Sequence, residues 1–558
     1  MTFSADTFQE KINSTITRLV NEKVVERIWE KDFTVWSNKP DEIVNRLGWL
    51  ISPDVTKKSF DEIKNFVAEI RAEGFTHALL MGMGGSSLAP EVFRLTFGVK
   101  EGYLDLSVLD TTDPSTILSF EEKLEPSKTL YIVSTKSGGT VETISFMKYF
   151  YNSVMSKLGK EKAGNHFIAI TDPGSGLQQM AIDLRFRKIF LNDPEIGGRY
   201  SALSLFGIVP AALIGVDVEK IISAASSEAV RCKKSGLNIN DNQASILGIM
   251  LGIFAEAGKN KVTFLLSEKI KSFGGWAEQL IAESTGKIGK GILPVDLEEH
   301  QLPENYGTDR VFVNVRLEDD LSNNSFIQSI KSSERPVIEI VMDDEYDLGK
   351  EFFRWEFATA IAGWYLSIQP FDQPNVEEAK VIARRMVKEY QEKGKLPELI
   401  PTLNQNGIKV YSDVGADNVS DAVKNFLDGT NSGKNYVAIH AYLKPGERIF
   451  KSLQVLRTKI LEKYKAATTL GFGPRFLHST GQLHKGDDGS GYFIQIINIE
   501  EKEAAIPDNA GSNETSISFG ILIRAQALGD RQVLIDNNRK VLTLEISGNA
   551  EKVIENLF

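Results

Sequence analysis

From residue 60 onward the chain alternates between two hydrophobic periods. Phe60, Ile63, Phe66, Val67 and Ile70 fall on one face of a helix that ends at Gly74, and the continuous apolar run at 77–81 reads as a buried strand. Strand-like runs recur at 106–110, 129–135 and 166–171, with helical stretches between them. Runs that are apolar throughout predict parallel strands covered on both faces. Ahead of this series, Ile12, Ile16, Leu19 and Val20 at helical spacing predict an N-terminal helical extension over 1–50.

A second series predicts strands at 262–267, 291–295, 311–317 and 336–342, then helices over about 350–368 and 376–393. The segment 394–407 has two prolines, two glycines and little periodicity, so it is the candidate linker. A third series follows, with strands IKVYS, YVAIHAYL and YFIQIINI and helices near 419–427 and 448–464. The polar, turn-rich segment 500–516 is expected to be a mobile loop. The predicted architecture is α/β: doubly wound parallel-sheet domains over 51–235 and 236–393, plus a C-terminal α/β unit over 394–558. The three series could be remote copies of one unit.

Composition narrows the possibilities. At about 150 residues per domain, 558 residues make three or four units. With 42% hydrophobic and 25% charged residues the chain can bury large cores. A net charge of −11 argues against a nucleic-acid binder but leaves room for a local basic pocket. The single cysteine, Cys232, forms no internal disulfide and builds no thiolate metal site, which suits a reducing compartment. The N-terminus lacks an apolar signal region, and the longest uncharged apolar stretch, from Ser201, is too short to span a bilayer. The expectation is a cytoplasmic protein with no membrane partner.

Two glycine-rich loops carry candidate chemistry. In MGMGGSSLAPEVF (81–93), small residues at the start of a helix let backbone amides approach an anion. Gly82, Gly84 and Asp110 invite a dinucleotide reading, which Ser87 in place of a third glycine disfavours. STKSGGTVET (134–143) offers the hydroxyls of Ser134, Thr135, Ser137 and Thr140, the ammonium of Lys136 and the flexible pair Gly138 and Gly139. Those donors suit a phosphate monoester, and the loop is not a Walker A motif. A Ser/Thr-rich helix cap is the plainer alternative. In GGWAEQLIAESTGK, Gln279 and Glu283 share a helix face, and GGRYS presents Arg199 beside two glycines. A carboxylate in an apolar cleft can act as general base, and an arginine can stabilise an enediolate.

The order GMGGSSLAP, STKSGGTVET, GGRYSALS, QLIAESTGK and FDQPNVEEAK resembles the glucose-6-phosphate isomerase (phosphoglucose isomerase) family over roughly 50–393. It is most similar to the divergent type found as the isomerase half of transaldolase/isomerase fusions, whose C-terminal extension would account for 394–558. The resemblance implies two sugar-isomerase domains, a glycolytic and gluconeogenic isomerase without cofactor or metal, a sugar-phosphate substrate and a homodimer. It implies Glu283 as the base between C1 and C2, Arg199 as enediolate stabiliser and Lys380 as an aid to ring opening. Gly85 and Ser86 form part of the substrate wall, Thr135, Lys136, Ser137 and Thr140 the phosphate cradle, and Gln279 and Gln373 further contacts. Pro374 and Asn375 depart from the family's usual Trp-Gly.

The family's ring-opening histidine, often lent by a neighbouring subunit, has no counterpart at its usual place. His300 is the substitute expected here, with a solvated loop histidine as the alternative. In GPRFLHSTGQLHKGDDGSG (473–491), Arg475, His478 and His484 are read first as a structural loop and second as groups reaching a site at a domain or subunit boundary. His77, His166 and His440 read as core or strand-end residues. The competing functions are a non-catalytic sugar-phosphate sensor, an isomerase of mannose 6-phosphate or another hexose phosphate, and a nicotinamide oxidoreductase.

Overall fold

The structure is a computed structural model that describes residues 1–235, 241–499 and 502–558. The expected boundary at 235/236 adjoins residues outside that description. Three sheets organise the chain. In the first, five parallel strands run in the spatial order Asp105–Leu109, His77–Gly82, Thr129–Ser134, Phe167–Thr171, Lys188–Leu191. The chain reverses its direction of winding between His77–Gly82 and Thr129–Ser134, and in open α/β sheets the crevice at such a reversal is where ligands bind.

The second sheet orders Thr2–Ser4, Val337–Met342, Arg310–Leu317, Lys261–Leu266 and Leu293–Val295. Its outermost strand was not foreseen: Thr2, Phe3 and Ser4 pair antiparallel with Glu339, Ile338 and Val337. The N-terminal segment is therefore more than a helical extension. Its helix Gln9–Asn21 buries Ile12, Ile16 and Leu19, as their spacing predicts. Trp49 is fully buried, 5.2 Å from Tyr200 of the first domain and 5.8 Å from Phe353 of the second. One apolar core consequently runs through both domains.

The third sheet has six strands, with Tyr436–Tyr442, Ala467–Phe472, Gly491–Ile499 and Lys540–Ser547 parallel and an antiparallel edge of Leu403–Gln405 and Ile408–Tyr411. The end of the expected linker thus becomes an edge strand. The expected mobile loop is also structured where it is described, residues 500 and 501 lying outside the description. Ala505–Pro507 pairs with Thr515–Ser518, and the hairpin packs on the first domain's helix Val141–Leu158. There Lys148 Nζ donates to Asp508 O at 2.7 Å and Asn152 Nδ2 to Ser512 O at 2.6 Å. Its polar composition marks a solvent-facing hairpin whose backbone is satisfied by a neighbouring helix.

The C-terminal unit has its own sheet and its own core, where Val437, Ile439, Leu453, Ile494 and Leu542 are buried together, and it also joins the cores of the other two domains. Phe519 stacks on Phe146 of the first domain at 5.8 Å, and Ala504, Ile506 and Leu522 join the same cluster. Leu483, Tyr436 and Phe493 pack with Ala282, Leu293 and Val295 of the second domain. Buried Arg457 donates to the backbone oxygens of Asp296 and Leu297, at 2.9 and 3.2 Å. No helix among the described residues is long and apolar enough to cross a membrane.

Candidate active site

A cleft of about 540 Å³ opens at the reversal point of the first sheet, walled on its far side by the second domain and roofed by the C-terminal unit. The first wall is the turn Gly84–Ser86 after strand His77–Gly82. Only glycine fits there: a Cβ on Gly85 would lie 1.9 Å from Gly198 O, and Gly84 takes φ +56° against the carbonyl of His478. The loop and the turn Gly198–Tyr200 are so closely packed that Arg199 is held at one position.

The second wall is the hydroxyl-rich loop, which ends at the N-terminus of the 18-residue helix Val141–Leu158. Thr140 caps that helix without a side-chain bond of its own, and Thr140 Oγ1 lies 3.1 Å from Thr135 Oγ1. Gly138 has φ +72°, and a Cβ there would sit 2.2 Å from Leu177 N. Free amides, hydroxyls and the positive end of a helix dipole converge on one spot, the arrangement a phosphate dianion requires. Lys136 lines the rim with its ammonium bound by Asp172 at 2.5 Å and by Pro194 O at 2.7 Å.

Across the cleft, helix Phe273–Thr285 brings Gln279 and Glu283 to one face, with Gln279 Nε2 donating to Glu283 Oε2 at 3.1 Å. Arg199 Nη1 is 3.1 Å from Glu283 Oε1, both side chains over nine-tenths buried. The guanidinium also donates to Ser284 Oγ at 2.9 Å, Pro370 O at 2.7 Å, Asp372 O at 2.8 Å and Gln373 Oε1 at 3.3 Å. So many fixed acceptors pin a planar fork in one orientation. Behind it, burial and then Arg199 push the Lys287 ammonium down to about 7, although Asp372 is 2.7 Å away. Helix Pro374–Lys393 adds Lys380, whose Nζ donates to Glu377 Oε1 at 2.9 Å.

All the expected site residues except His300 line this one cleft: Gly85, Ser86, Thr135, Lys136, Ser137, Thr140, Arg199, Gln279, Glu283, Gln373 and Lys380. His300 follows the edge strand Leu293–Val295 and is exposed, its ring stacked at 4.2 Å on Phe326 of helix Asn324–Ser332. Stacking on the outer side of the second domain keeps it out of the cleft. The imidazole inside the cleft is that of His478, from the loop first read as structural. Its Nε2 lies 2.9 Å from Oε1 of Glu142, and its backbone oxygen accepts from Gln279 Nε2 at 2.8 Å. Burial raises the Glu142 carboxyl, but His478 and then Lys380 outweigh it and hold the group below the usual carboxylate range.

Glu142 was not singled out from the sequence, because a glutamate in the first turn of a helix ordinarily faces solvent. Its place beside the Ser/Thr-rich loop was the available signal. Arg475 pairs with Asp110 at 3.2 Å, so the acid that invited a nucleotide reading fastens the C-terminal loop instead. His484 and His440 are buried away from the cleft, 3.2 Å apart.

Two doubly wound domains with a hydroxyl-rich loop and helix N-terminus at the sheet reversal, and a carboxylate facing an arginine across the seam, fit an aldose–ketose isomerase of the sugar-phosphate class. The phosphoglucose isomerase family model matches residues 7–298, slightly more than half of the chain, and the chain belongs to that family. A glucose-6-phosphate isomerase of Carboxydothermus hydrogenoformans is 28% identical over 392 residues, covering 60% of this chain and 83% of the relative. A probable glucose-6-phosphate isomerase of Methanococcus maripaludis is 29% identical over 384 residues, 62% of this chain and 85% of the relative. Among solved structures, a hypothetical protein of Thermus thermophilus shares the fold with a TM-score of 0.58 at 22% identity, covering 69% of this chain and 99% of that one.

Proposed function

We propose that the protein interconverts glucose 6-phosphate and fructose 6-phosphate. The observation that carries this reading is the Arg199–Glu283 pair placed across one cleft from an anion-ready helix N-terminus. Sugar phosphate binds through amides and hydroxyls of 137–140, while Lys136 adds charge at the rim. His478, backed by Glu142, moves a proton between the ring oxygen and the anomeric hydroxyl, and Lys380 assists. Glu283 then takes the proton from C2 of the open aldose and returns it to C1. The enediolate oxygens that carry charge between these steps lie toward Arg199, a fixed cation whose geometry costs no reorganisation.

The C-terminal unit supports placing the chain with the divergent type that forms the isomerase half of transaldolase fusions. A homodimer and a cytoplasmic site belong to the same reading, the latter supported by the single, buried Cys232.

The test is a coupled assay for fructose 6-phosphate with purified protein in chelator, alongside Glu283→Gln. Turnover by the wild type and a loss of about 10²–10⁴-fold in the variant are expected. Absence of wild-type turnover overturns the reaction, and a fully active variant overturns the base.

A further inference from the structure

Glu142 belongs to the first domain, yet two of the groups that touch its carboxylate come from the C-terminal unit. His478 Nε2 lies at 2.9 Å and Gln526 Nε2 at 2.6 Å, both on Oε1. The amide oxygen of Gln526 accepts from Thr112 Oγ1 at 2.8 Å, so its NH₂ is directed at the carboxylate. Gln526 is buried on helix Phe519–Asp536, whose first residue stacks in the first domain's core.

The loop that carries His478 is keyed into the body of the molecule. A Cβ on Gly286, at the end of the helix bearing Glu283, would lie 2.2 Å from Leu483 Cα. A Cβ on Gly486 would lie 2.2 Å from Gly286 O. Beneath the loop, Lys485 Nζ and Asp530 Oδ1 are 2.7 Å apart with both side chains fully buried. His440 lies 3.2 Å from Asp530 Oδ2, and Phe476 stacks on it at 4.0 Å. The backbone contact with Gly286 fixes the loop against the helix of Glu283, and the desolvated Lys485–Asp530 pair fixes it against the rest of its own unit.

We infer that residues 394–558 complete the active site within their own chain: this unit supplies His478 to the cleft and Gln526 as a positioning residue for Glu142, and no second copy contributes a residue. The inference rests on the isomerase reading. It gives the C-terminal unit a catalytic task and makes one chain a whole enzyme. Gln526 acts through Glu142: with two donors on one oxygen the carboxylate stays ionised and keeps the imidazole aimed. The other charged groups facing this pair are Lys380 and its partner Glu377, from helix Pro374–Lys393, and Asp110 of the first domain, which is paired with Arg475.

The experiment co-expresses full-length Glu283→Gln and His478→Gln chains and assays the material purified together. Each variant alone is expected to be impaired, and the mixture no more active than the two separately. Recovery toward about a quarter of wild-type activity, the yield of random two-chain assembly with shared sites, overturns the inference. So does an unimpaired His478→Gln. Should His478→Gln fail to fold, Gln526→Leu decides: expected are a roughly 10-fold or greater fall in kcat with little change in KM, and an acid limb of the pH–rate profile moved toward neutrality. An unchanged kcat and pH profile overturns the inference. Lack of turnover by the wild type defeats the isomerase reading instead, so the two failures are distinguishable.

Discussion

Arg199 and Glu283 meet at 3.1 Å although one stands on a turn of the first domain and the other on a helix of the second. Their contact is the seam of the two domains, and it sets an activity prediction. Arg199→Lys keeps the charge but loses the fork that five acceptors hold. We expect kcat to fall by about 10²-fold or more with a smaller change in KM, because the lost interaction is strongest with the developing enediolate. Steady-state kinetics in both directions checks this.

The two histidines considered for ring opening make opposite predictions. His478→Gln should slow turnover of cyclic hexose phosphate by roughly 10²-fold and spare an aldose phosphate too short to cyclise. His300→Ala should leave both rates within about twofold, since its ring rests on Phe326 outside the cleft. Parallel assays on the two substrates separate ring opening from proton transfer.

Gly138→Ala tests the cradle. With φ +72° and a Cβ placed 2.2 Å from Leu177 N, the loop must move. A displaced loop loses amide donors, so KM for sugar phosphate and the inhibition constant of inorganic phosphate should both rise, by about 10-fold, with kcat less affected.

One part of the pH dependence of stability follows from two half-buried acids, Glu278 on the helix that bears Glu283 and Asp296 packed against the start of that helix. Burial and then the charge of Asp296 push Glu278 up to about 8, and burial pushes Asp296 itself up to about 7. Both bind a proton in the folded chain that they release when unfolded at the same pH. The contribution of these two acids is therefore greatest below about pH 4 and declines as pH rises toward 7 and 8. Asp296→Asn should flatten that decline, by on the order of 1 kcal/mol or more between pH 5 and 8. Denaturant melts across that range measure it.

Much of this architecture was legible from local pattern. Continuous apolar runs marked the parallel strands, and the four-residue spacing of Gln279 and Glu283 correctly put them on one helix face. The two glycine loops drew an anion-site reading because their small and hydroxylated residues are adjacent in the chain, and the structure brings both to one cleft. What the sequence concealed was contact between distant segments. His478 reaches Gln279 across 199 positions, and nothing in a local window distinguishes a histidine in a glycine-rich loop from one in a cleft. His300 attracted the role through nearness in sequence to Glu283, which sheet geometry does not respect. The hairpin at Ala505–Pro507 and Thr515–Ser518 was hidden likewise, because its backbone partners lie on another domain's helix.

The strand Thr2–Ser4 has a consequence for synthesis. Its partner Val337–Met342 is synthesised more than three hundred residues later. The first domain can form while these opening residues wait unpaired. The outer edge of the second sheet stays open until the chain's beginning returns to it. A sheet edge left bare presents unpaired amides and carbonyls to any other strand, so the late arrival of this three-residue strand replaces a longer edge with a very short one that offers a neighbour little to pair with.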